Sequence, residues 1–187
     1  MNLTILTNNL VNPKDFVEFW SSFYNYQFER YYTPLIGKKR FSKEDLVKLF
    51  EWKNGGKLSQ RKKQALDSII DKLEQINALK SKFSKDTFLE KFGFVKGPIW
   101  KLYLLHIIQP EEFPIFDQHV YRAYHFISEK KIVEIPSSPA NKQNVYFSKY
   151  VPFFNKIWHN GISKKKLDEA LWCFGKFLKT PYAKKYR

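Results

Sequence analysis

The sequence predicts an all-α protein of about eight helices joined by short links. Apolar residues recur at spacings of three and four along most of the chain, and capping residues precede these stretches. Strand patterns do not alternate with the helical ones, and the sequence holds no internal repeat. A chain of 187 residues fits one domain, or two lobes formed by residues 1–80 plus the C-terminal helices and by residues 81–128.

Three helices are predicted at the start of the chain. The first covers residues 13–32, with Asn12 as its cap and a proline at its first position. The second begins at Ser42 and ends at the Asn-Gly-Gly turn of residues 54–56. The third covers residues 59–79, whose apolar positions keep a period of 3.6 residues.

The next pattern is a helix, a tight turn and a second helix. Ser84 caps a short helix that ends at Gly93, and after a brief turn Gly97 and Pro98 open another helix that runs to about Ile108. This second helix is apolar on almost every side. We therefore expect it to be the central, buried helix of the fold.

Three further segments complete the predicted fold. One helix opens at Asp117 after a loop with two prolines. Residues 130–144 read as a surface connection with room for one short strand at 132–135. A helical pattern covers residues 146–158 and is interrupted by Pro152. Ser163 caps the last helix.

The charge balance suggests a nucleic-acid partner. The chain carries 33 Lys and Arg against 18 Asp and Glu, which gives a net charge of +15, and its sequence pI is near 9.7. A surplus of this size is typical of proteins that neutralise phosphates. The chain is also rich in Lys, Asn, Ile, Phe and Tyr, so a general compositional bias with an ordinary basic surface is the alternative interpretation.

The cysteine and histidine content excludes several kinds of site. A single cysteine, Cys173, cannot form an intramolecular disulfide, a four-cysteine zinc site or a cysteine-held iron–sulfur cluster. His119 and His125 are six residues apart, so they do not share a helix face as a metal-binding pair would. We expect no metal site and no cofactor.

The sequence predicts a cytoplasmic protein. No apolar run approaches the roughly 20 residues that cross a bilayer, so no membrane partner is expected. Residues 1–11 lack the basic start and the small-residue cleavage site of a signal peptide. The lone cysteine agrees with a reducing compartment.

One segment resembles a known family. Residues 117–122 read Asp-Gln-His-Val-Tyr-Arg, and Gly97, at the end of the tight turn, lies 20 residues before Asp117. The glycine-bearing helical hairpin, the buried helix, the proline-containing loop and this Asp resemble the helix-hairpin-helix superfamily of base-excision DNA glycosylases, and the motif is similar to that of its endonuclease III-like members. A second similarity is the apolar helix around residues 170–176, which bears a Gly near its end.

The resemblance implies a catalytic role for Asp117. In the family, this carboxylate faces the flipped nucleotide and stabilises the positive charge that develops on the sugar, or activates the nucleophile. An Asp at a helix start is also a common N-cap, which is the structural alternative. Members that cleave the strand carry a lysine near the start of the helix after the hairpin. Counting places Ile99 there, in which case Asp117 would activate water and the strand would stay intact. A shift of two residues brings Lys101 into that position as a second catalytic candidate, for which a solvated helix lysine is the alternative.

The resemblance also implies DNA contacts. The hairpin of the family binds a phosphate through backbone N–H groups, which points to Gly93, Lys96 and Gly97, although the two glycines are two residues further apart here than is usual. His119 and Arg122 of the Asp117 motif are further candidates for DNA binding.

Two tryptophans are candidates for the base pocket. A flipped base is held between aromatic or apolar side chains, and Trp52 and Trp100 could supply them. A place in the hydrophobic core is the alternative for each.

Together these features predict a monomeric base-excision DNA glycosylase. The enzyme would bind double-stranded DNA, flip a damaged or mismatched base and hydrolyse its N-glycosidic bond, without an iron–sulfur cluster. The alternative is a basic α-helical module that binds nucleic acid or a protein without catalysis.

Overall fold

The computed structural model describes residues 12–95, 97–158 and 161–186. Regular structure in these ranges is entirely helical, which confirms the all-α class. Contacts divide the chain into two compact units: Met1–Asn25 with Pro114–Arg187 forms unit 1, and Tyr26–Phe113 forms unit 2. These boundaries differ from those of the expected lobes, because the chain returns to unit 1 just before the Asp117 helix.

The described residues contain more helices than the eight or so that the sequence suggests. In chain order the α-helices are α1 (Pro13–Ser21), α2 (Thr33–Ile36), α3 (Lys43–Asn54), α4 (Gln60–Ile70), α5 (Leu73–Ser81), α6 (Lys85–Lys91), α7 (Pro98–Ile108), α8 (Gln118–Glu129), α9 (Pro139–Val145), α10 (Val151–Ile157) and α11 (Lys164–Phe177). Shorter elements are 3₁₀ helices at Glu29–Tyr31 and Pro181–Tyr186 and a π-helical turn at Tyr146–Tyr150.

Capping residues set the helix boundaries where the sequence carries clear signals. Ser42 and Asp45 form a complete capping box at the start of α3, each side chain accepting a hydrogen bond from the other residue's backbone N–H. Gly55 ends α3 in the left-handed conformation, with φ at 77°. The side chains of Ser84 and Ser163 cap α6 and α11 in the predicted manner.

Helix α7 is the buried helix of unit 2. All eight of its residues from Lys101 to Ile108 are buried, as its apolar sequence predicts. Polar groups on it find partners inside the unit: the Tyr103 hydroxyl donates to the Leu49 carbonyl at 3.0 Å, and the ring nitrogens of His106 lie 2.7 Å from the Tyr32 hydroxyl and 2.7 Å from the Phe113 carbonyl. These bonds satisfy polar groups that burial would otherwise penalise.

The core of unit 1 is built where α11 packs against α1 and α8. The ring of Phe174 on α11 contacts Phe16 and Trp20 of α1, with ring centres 5.4 and 5.0 Å apart, and Phe126 of α8 at 5.6 Å. Cys173 beside it is a free, buried cysteine, and burial raises the pKa of its thiol to about 11.

The first predicted helix is shorter than the sequence suggests. Helix α1 ends at Ser21 instead of continuing to Tyr32. The aromatic residues that extend the helical pattern belong to two different cores, because Tyr24 packs on Trp172 in unit 1 and Tyr32 stacks on Trp52 in unit 2.

The helix predicted over residues 59–79 is divided into α4 and α5. Lys72 leaves the helical conformation, with φ at −104° and ψ at 21°. No glycine or proline marks this break in the sequence, so the apolar period alone suggested one continuous helix.

Residues 139–157 form one continuous helical stretch rather than a loop followed by an interrupted helix. Pro152 lacks an N–H and crowds the carbonyl one turn before it, and the chain accommodates it with the π-helical turn Tyr146–Tyr150 rather than a break. The possible short strand at 132–135 is absent, since these residues have no regular structure.

No helix in the described ranges has both the length and the apolar character that a membrane span requires.

Candidate active site

Asp117 stands at the start of α8, as the sequence predicts. Its Oδ1 accepts hydrogen bonds from the backbone N–H groups of His119 at 2.8 Å and Val120 at 3.2 Å, and its own backbone is extended. The residue is partly exposed. The carboxylate is therefore both a helix cap and a fixed negative charge that α8 holds in one orientation.

The loop that leads into Asp117 is fixed by buried hydrogen bonds. The Tyr146 hydroxyl donates to the Pro114 carbonyl at 2.9 Å, and the backbone N–H of Ile115 donates to Oδ2 of Asp168 at 3.4 Å. The ring of Phe116 lies 5.3 Å from that of Tyr146. Side chains from the π-helical turn and from α11 thus hold the residues just before Asp117.

A buried polar cluster surrounds this loop. Tyr146 and Tyr150 are completely buried, and burial raises the pKa of each hydroxyl well above its ordinary value. The Asp168 carboxylate raises both further, and Asp117 acts on Tyr150 in the same direction. Both hydroxyls therefore stay protonated at neutral pH and can only act as neutral hydrogen-bonding groups.

Gly175 allows α11 to approach the start of α8 closely. A Cβ atom at this position would lie 1.9 Å from the carbonyl oxygen of His119, which is far inside any allowed contact. The two segments that resemble the glycosylase family, around Asp117 and around Gly175, therefore meet in unit 1. Only glycine permits this approach.

Arg122 lies inside the protein. Its side chain is 0% exposed. The guanidinium makes a two-pronged contact with Glu134, at 3.2 and 3.0 Å, and donates to the Gly175 carbonyl at 2.8 Å. This enclosure gives Arg122 an internal role in joining α8 to α11, so we do not include it among the residues proposed to bind DNA.

The hairpin predicted to bind a phosphate belongs to unit 2. Gly97 is the N-cap of α7 and has a φ of −81°, and Gly93 also lies outside the left-handed region. Residues other than glycine could adopt both of these backbone conformations. Lys96, the third residue predicted here, lies outside the described residues.

Lys101 is a buried lysine at the end of the first turn of α7. The residue is 8% exposed, and burial lowers the pKa of its amine. Within the described part of the chain, no carboxylate or other polar group pairs with this amine. By contrast, the Lys80 amine donates to the Ile107 carbonyl at 3.0 Å and lies over the Phe41 ring, and burial lowers its pKa to about 8.

The two tryptophans proposed for a base pocket are packed into unit 2. Trp52 is 7% exposed. Its ring is stacked with those of Tyr32 and Tyr103, at 4.4 and 5.8 Å, and its indole N–H donates to Glu29 at 3.1 Å. Trp100 is partly exposed and its ring lies 4.8 Å from that of Phe50. Trp52 therefore has the surroundings of a core residue.

No motif in the sequence indicates the residues that support Asp117. Tyr146 and Asp168 lie about 30 and 50 residues downstream of it, in segments without a recognised motif. The one local signal is a polar Asp168 next to Leu167 on the apolar face of α11, where both are buried. An acid on an apolar helix face indicates a partner from another segment.

The predicted site residues fall into two sets. Asp117, His119 and Arg122 belong to unit 1, whereas Trp52, Gly93, Gly97, Trp100 and Lys101 belong to unit 2. In the ranges that the structure describes, no three His, Cys, Asp or Glu side chains come close enough together to hold a metal ion. Comparison of the chain with protein-family models, curated proteins and solved structures gave no match.

Proposed function

We propose that this protein is a DNA glycosylase of the helix-hairpin-helix type that removes a damaged or mismatched base from duplex DNA. The observation that carries the proposal is Lys101, a buried residue whose amine has a lowered pKa and no polar partner among the described residues. It follows a helical hairpin and lies two residues beyond Ile99, the position that the resemblance gives to a nucleophilic lysine.

A buried lysine without a partner is costly for a fold. Removing part of the water around an ammonium group is unfavourable, and no described residue offers the Lys101 amine a counter-charge or a hydrogen bond in exchange. A lowered pKa makes the neutral amine, which is the nucleophilic form, accessible nearer to neutral pH. Both features are typical of functional lysines.

Asp117, which belongs to unit 1, is the second catalytic candidate and supports the hydrolytic form of the reaction by itself. Positive charge develops on the sugar as the base leaves, and a carboxylate held in one orientation stabilises that charge without reorganising. The partial exposure of Asp117 leaves it accessible to a substrate, and its hydrogen bonds from His119 and Val120 fix it.

The chemical step can be written with Lys101 as the nucleophile. The lone pair on Nζ forms a bond to C1′ of the sugar while the bond from C1′ to the base breaks, and the base leaves with that electron pair and takes up a proton. The ring oxygen then leaves C1′ and is protonated, which gives a Schiff base on Nζ. Loss of a proton from C2′ expels the 3′ phosphate and breaks the strand.

The test is a trapping experiment with borohydride. The purified protein is incubated with labelled duplexes carrying alkylated, oxidised, deaminated or mismatched bases, and borohydride reduces any Schiff base to a stable covalent adduct. We expect an adduct on one lesion with the wild type and with Lys91→Gln, which changes an exposed lysine of α6, and none with Lys101→Gln. For the hydrolytic form of the reaction, the expected result is slower base release in Asp117→Asn.

Each result decides a different part of the proposal. Base release without an adduct would mean that Lys101 is not the nucleophile and that Asp117 activates water, as in the hydrolytic form of the reaction. No base release on any lesion would overturn the glycosylase proposal. Salt-sensitive DNA binding without base release would then favour the non-catalytic binding module.

A further inference from the structure

Unit 1 carries a surface of aromatic and basic side chains beside Asp117. We call it the aromatic-basic surface, and it consists of Tyr24, His119, Lys165, Trp172 and Lys176. The Trp172 ring is its centre, with the rings of Tyr24 and His119 both 5.6 Å away. The Lys176 amine lies 4.3 Å above the Trp172 ring, and the Lys165 amine lies 4.7 Å above the Tyr24 ring.

The helical spacing of α11 places the central residues on one side. Lys165, Trp172 and Lys176 fall within about 40° of one another at 100° per residue, so they form a single stripe along the helix. His119 adjoins this stripe from the first turn of α8, two residues after Asp117. The surface is therefore continuous with the carboxylate that we propose to be catalytic.

The charges of this surface are suited to an anion. Lys176 is exposed and has no carboxylate partner among the described residues. Lys165 pairs with Glu169 at 3.1 Å, so one of the two lysines is partly neutralised. Lys179, one turn beyond Lys176, is exposed as well. Cations along an aromatic stripe are complementary to a single nucleic-acid strand, in which phosphate charges alternate with flat bases.

We propose that the aromatic-basic surface binds unpaired nucleotides of a DNA strand, with a base stacked on Trp172 and the adjoining phosphates held by Lys176 and Lys165. This inference rests on the proposed function, because it assumes that DNA is the substrate. It assigns to unit 1 a binding role that the sequence had placed on Trp52 and Trp100 of unit 2.

Binding exchanges one contact for a stronger one. In the free protein, the Lys176 amine covers the Trp172 ring through a cation–π contact, which is weak at an exposed site. Stacking of a base on an aromatic ring is stronger, and the displaced ammonium can then pair with a phosphate. The lysine thus covers the ring in the absence of DNA and contacts the backbone in its presence.

The test measures binding of a fluorescein-labelled single-stranded oligonucleotide of mixed sequence by anisotropy. We expect Trp172→Ala to weaken binding about tenfold and Trp172→Phe to restore most of the affinity, because stacking needs only an aromatic ring. Lys176→Gln should weaken binding and reduce the slope of log K against log salt by about 0.7, the value for one single-strand phosphate contact.

Lys166→Gln is the matched control. Lys166 is also exposed on α11, but it lies about 120° around the helix from Trp172. Equal losses from Lys166→Gln and Lys176→Gln would mean that only the general charge matters, and this would overturn the proposal. Unchanged affinity in Trp172→Ala would also overturn it. If Trp172→Ala fails to fold, two other variants test the proposal. Lys176→Gln should still weaken binding, and DNA binding should quench tryptophan fluorescence less in Trp172→Phe than in the wild type.

The binding assay separates this inference from the proposed function, because it requires no turnover. If the protein releases a base but substitutions of Trp172 and Lys176 leave DNA binding unchanged, the inference is refuted and the glycosylase proposal stands. Binding that depends on both residues, in a protein that releases no base from any lesion, would refute the glycosylase proposal alone.

Discussion

At the scale of single residues, Lys101 stands out because its position is unfavourable for a charged amine. Its stem packs in the buried part of α7, and its lowered pKa reflects the cost of burying the ammonium group. A residue kept for chemistry lowers stability in this way, whereas a residue kept for packing does not. The two roles therefore predict opposite effects of substitution.

Lys101→Met should stabilise the protein while removing adduct formation. Met keeps the length of the side chain and needs no solvation, and because the amine still reaches water we expect a gain of about 1 kcal/mol or less. Thermal unfolding followed by circular dichroism measures the gain, with Lys91→Met as the control for an exposed lysine. A decrease in melting temperature would mean that the Lys101 amine makes favourable interactions in the folded state.

The pH dependence of this gain follows from the sign of the pKa shift. Because the folded pKa lies below the ordinary value, the unfolded chain binds more protons between the folded pKa and about 10.4. The free energy of unfolding of the wild type therefore rises with pH between these two pKa values. The stability advantage of Lys101→Met is largest at pH values below the folded pKa and becomes smaller as the pH rises through this range. Urea unfolding at several pH values tests this, and a constant advantage would contradict it.

Some residues of the candidate site could be proposed from the sequence and others could not, for a physical reason. Asp117 could be predicted because a cap and the residues after it are adjacent in the chain. Lys101 remained open because the length of the hairpin left its register uncertain. Asp168 and Trp172 could not be assigned, because Asp168 meets the Ile115 N–H and Trp172 meets His119 only once α11 has packed in unit 1.

At the scale of elements, the contact between α8 and α11 depends on one missing side chain. Gly175→Ala should destabilise the protein by about 3 kcal/mol or more, because the new Cβ would overlap the His119 carbonyl and force the two helices apart. Gly37→Ala is the matched control, since a Cβ there meets nothing within 4 Å. Urea unfolding curves compare the two, and similar small effects would show that the helices can separate at little cost.

The loop before Asp117 provides a second prediction at this scale. Asp168→Ala removes the acceptor for the buried Ile115 N–H, which should cost about 1–3 kcal/mol and loosen the loop. We expect a larger loss in the rate of base release than in DNA affinity. Asp67→Ala, an exposed acid of α4, is the control. A purely structural role would lower stability and leave the rate per folded molecule unchanged.

Helix boundaries were predictable where the signal is local. The capping box of Ser42 and Asp45 and the left-handed Gly55 involve neighbouring residues, so they are visible in the sequence. The division at Lys72 carries no local signal. The π-helical turn ahead of Pro152 was also missed, because a proline alone does not distinguish a broken helix from a widened turn.

At the scale of the whole molecule, the net charge of +15 predicts the salt dependence of DNA binding. Release of counterions from neutralised phosphates should give a slope of log K against log salt of about −4 or steeper for duplex DNA, which corresponds to four or more phosphate contacts. Anisotropy titrations from 50 to 200 mM salt measure this slope. Weak binding that does not change with salt would favour the interpretation of a compositional bias.

The single cysteine gives unit 1 its own reporter of motion. Cys173 is buried in α11, and with its thiol pKa near 11 it is almost entirely in the unreactive thiol form at neutral pH. A disulfide reagent should therefore modify it slowly unless α11 opens transiently. The rate of modification thus measures how often the helix that carries Asp168 and Trp172 detaches from its neighbours, without a label having to be introduced.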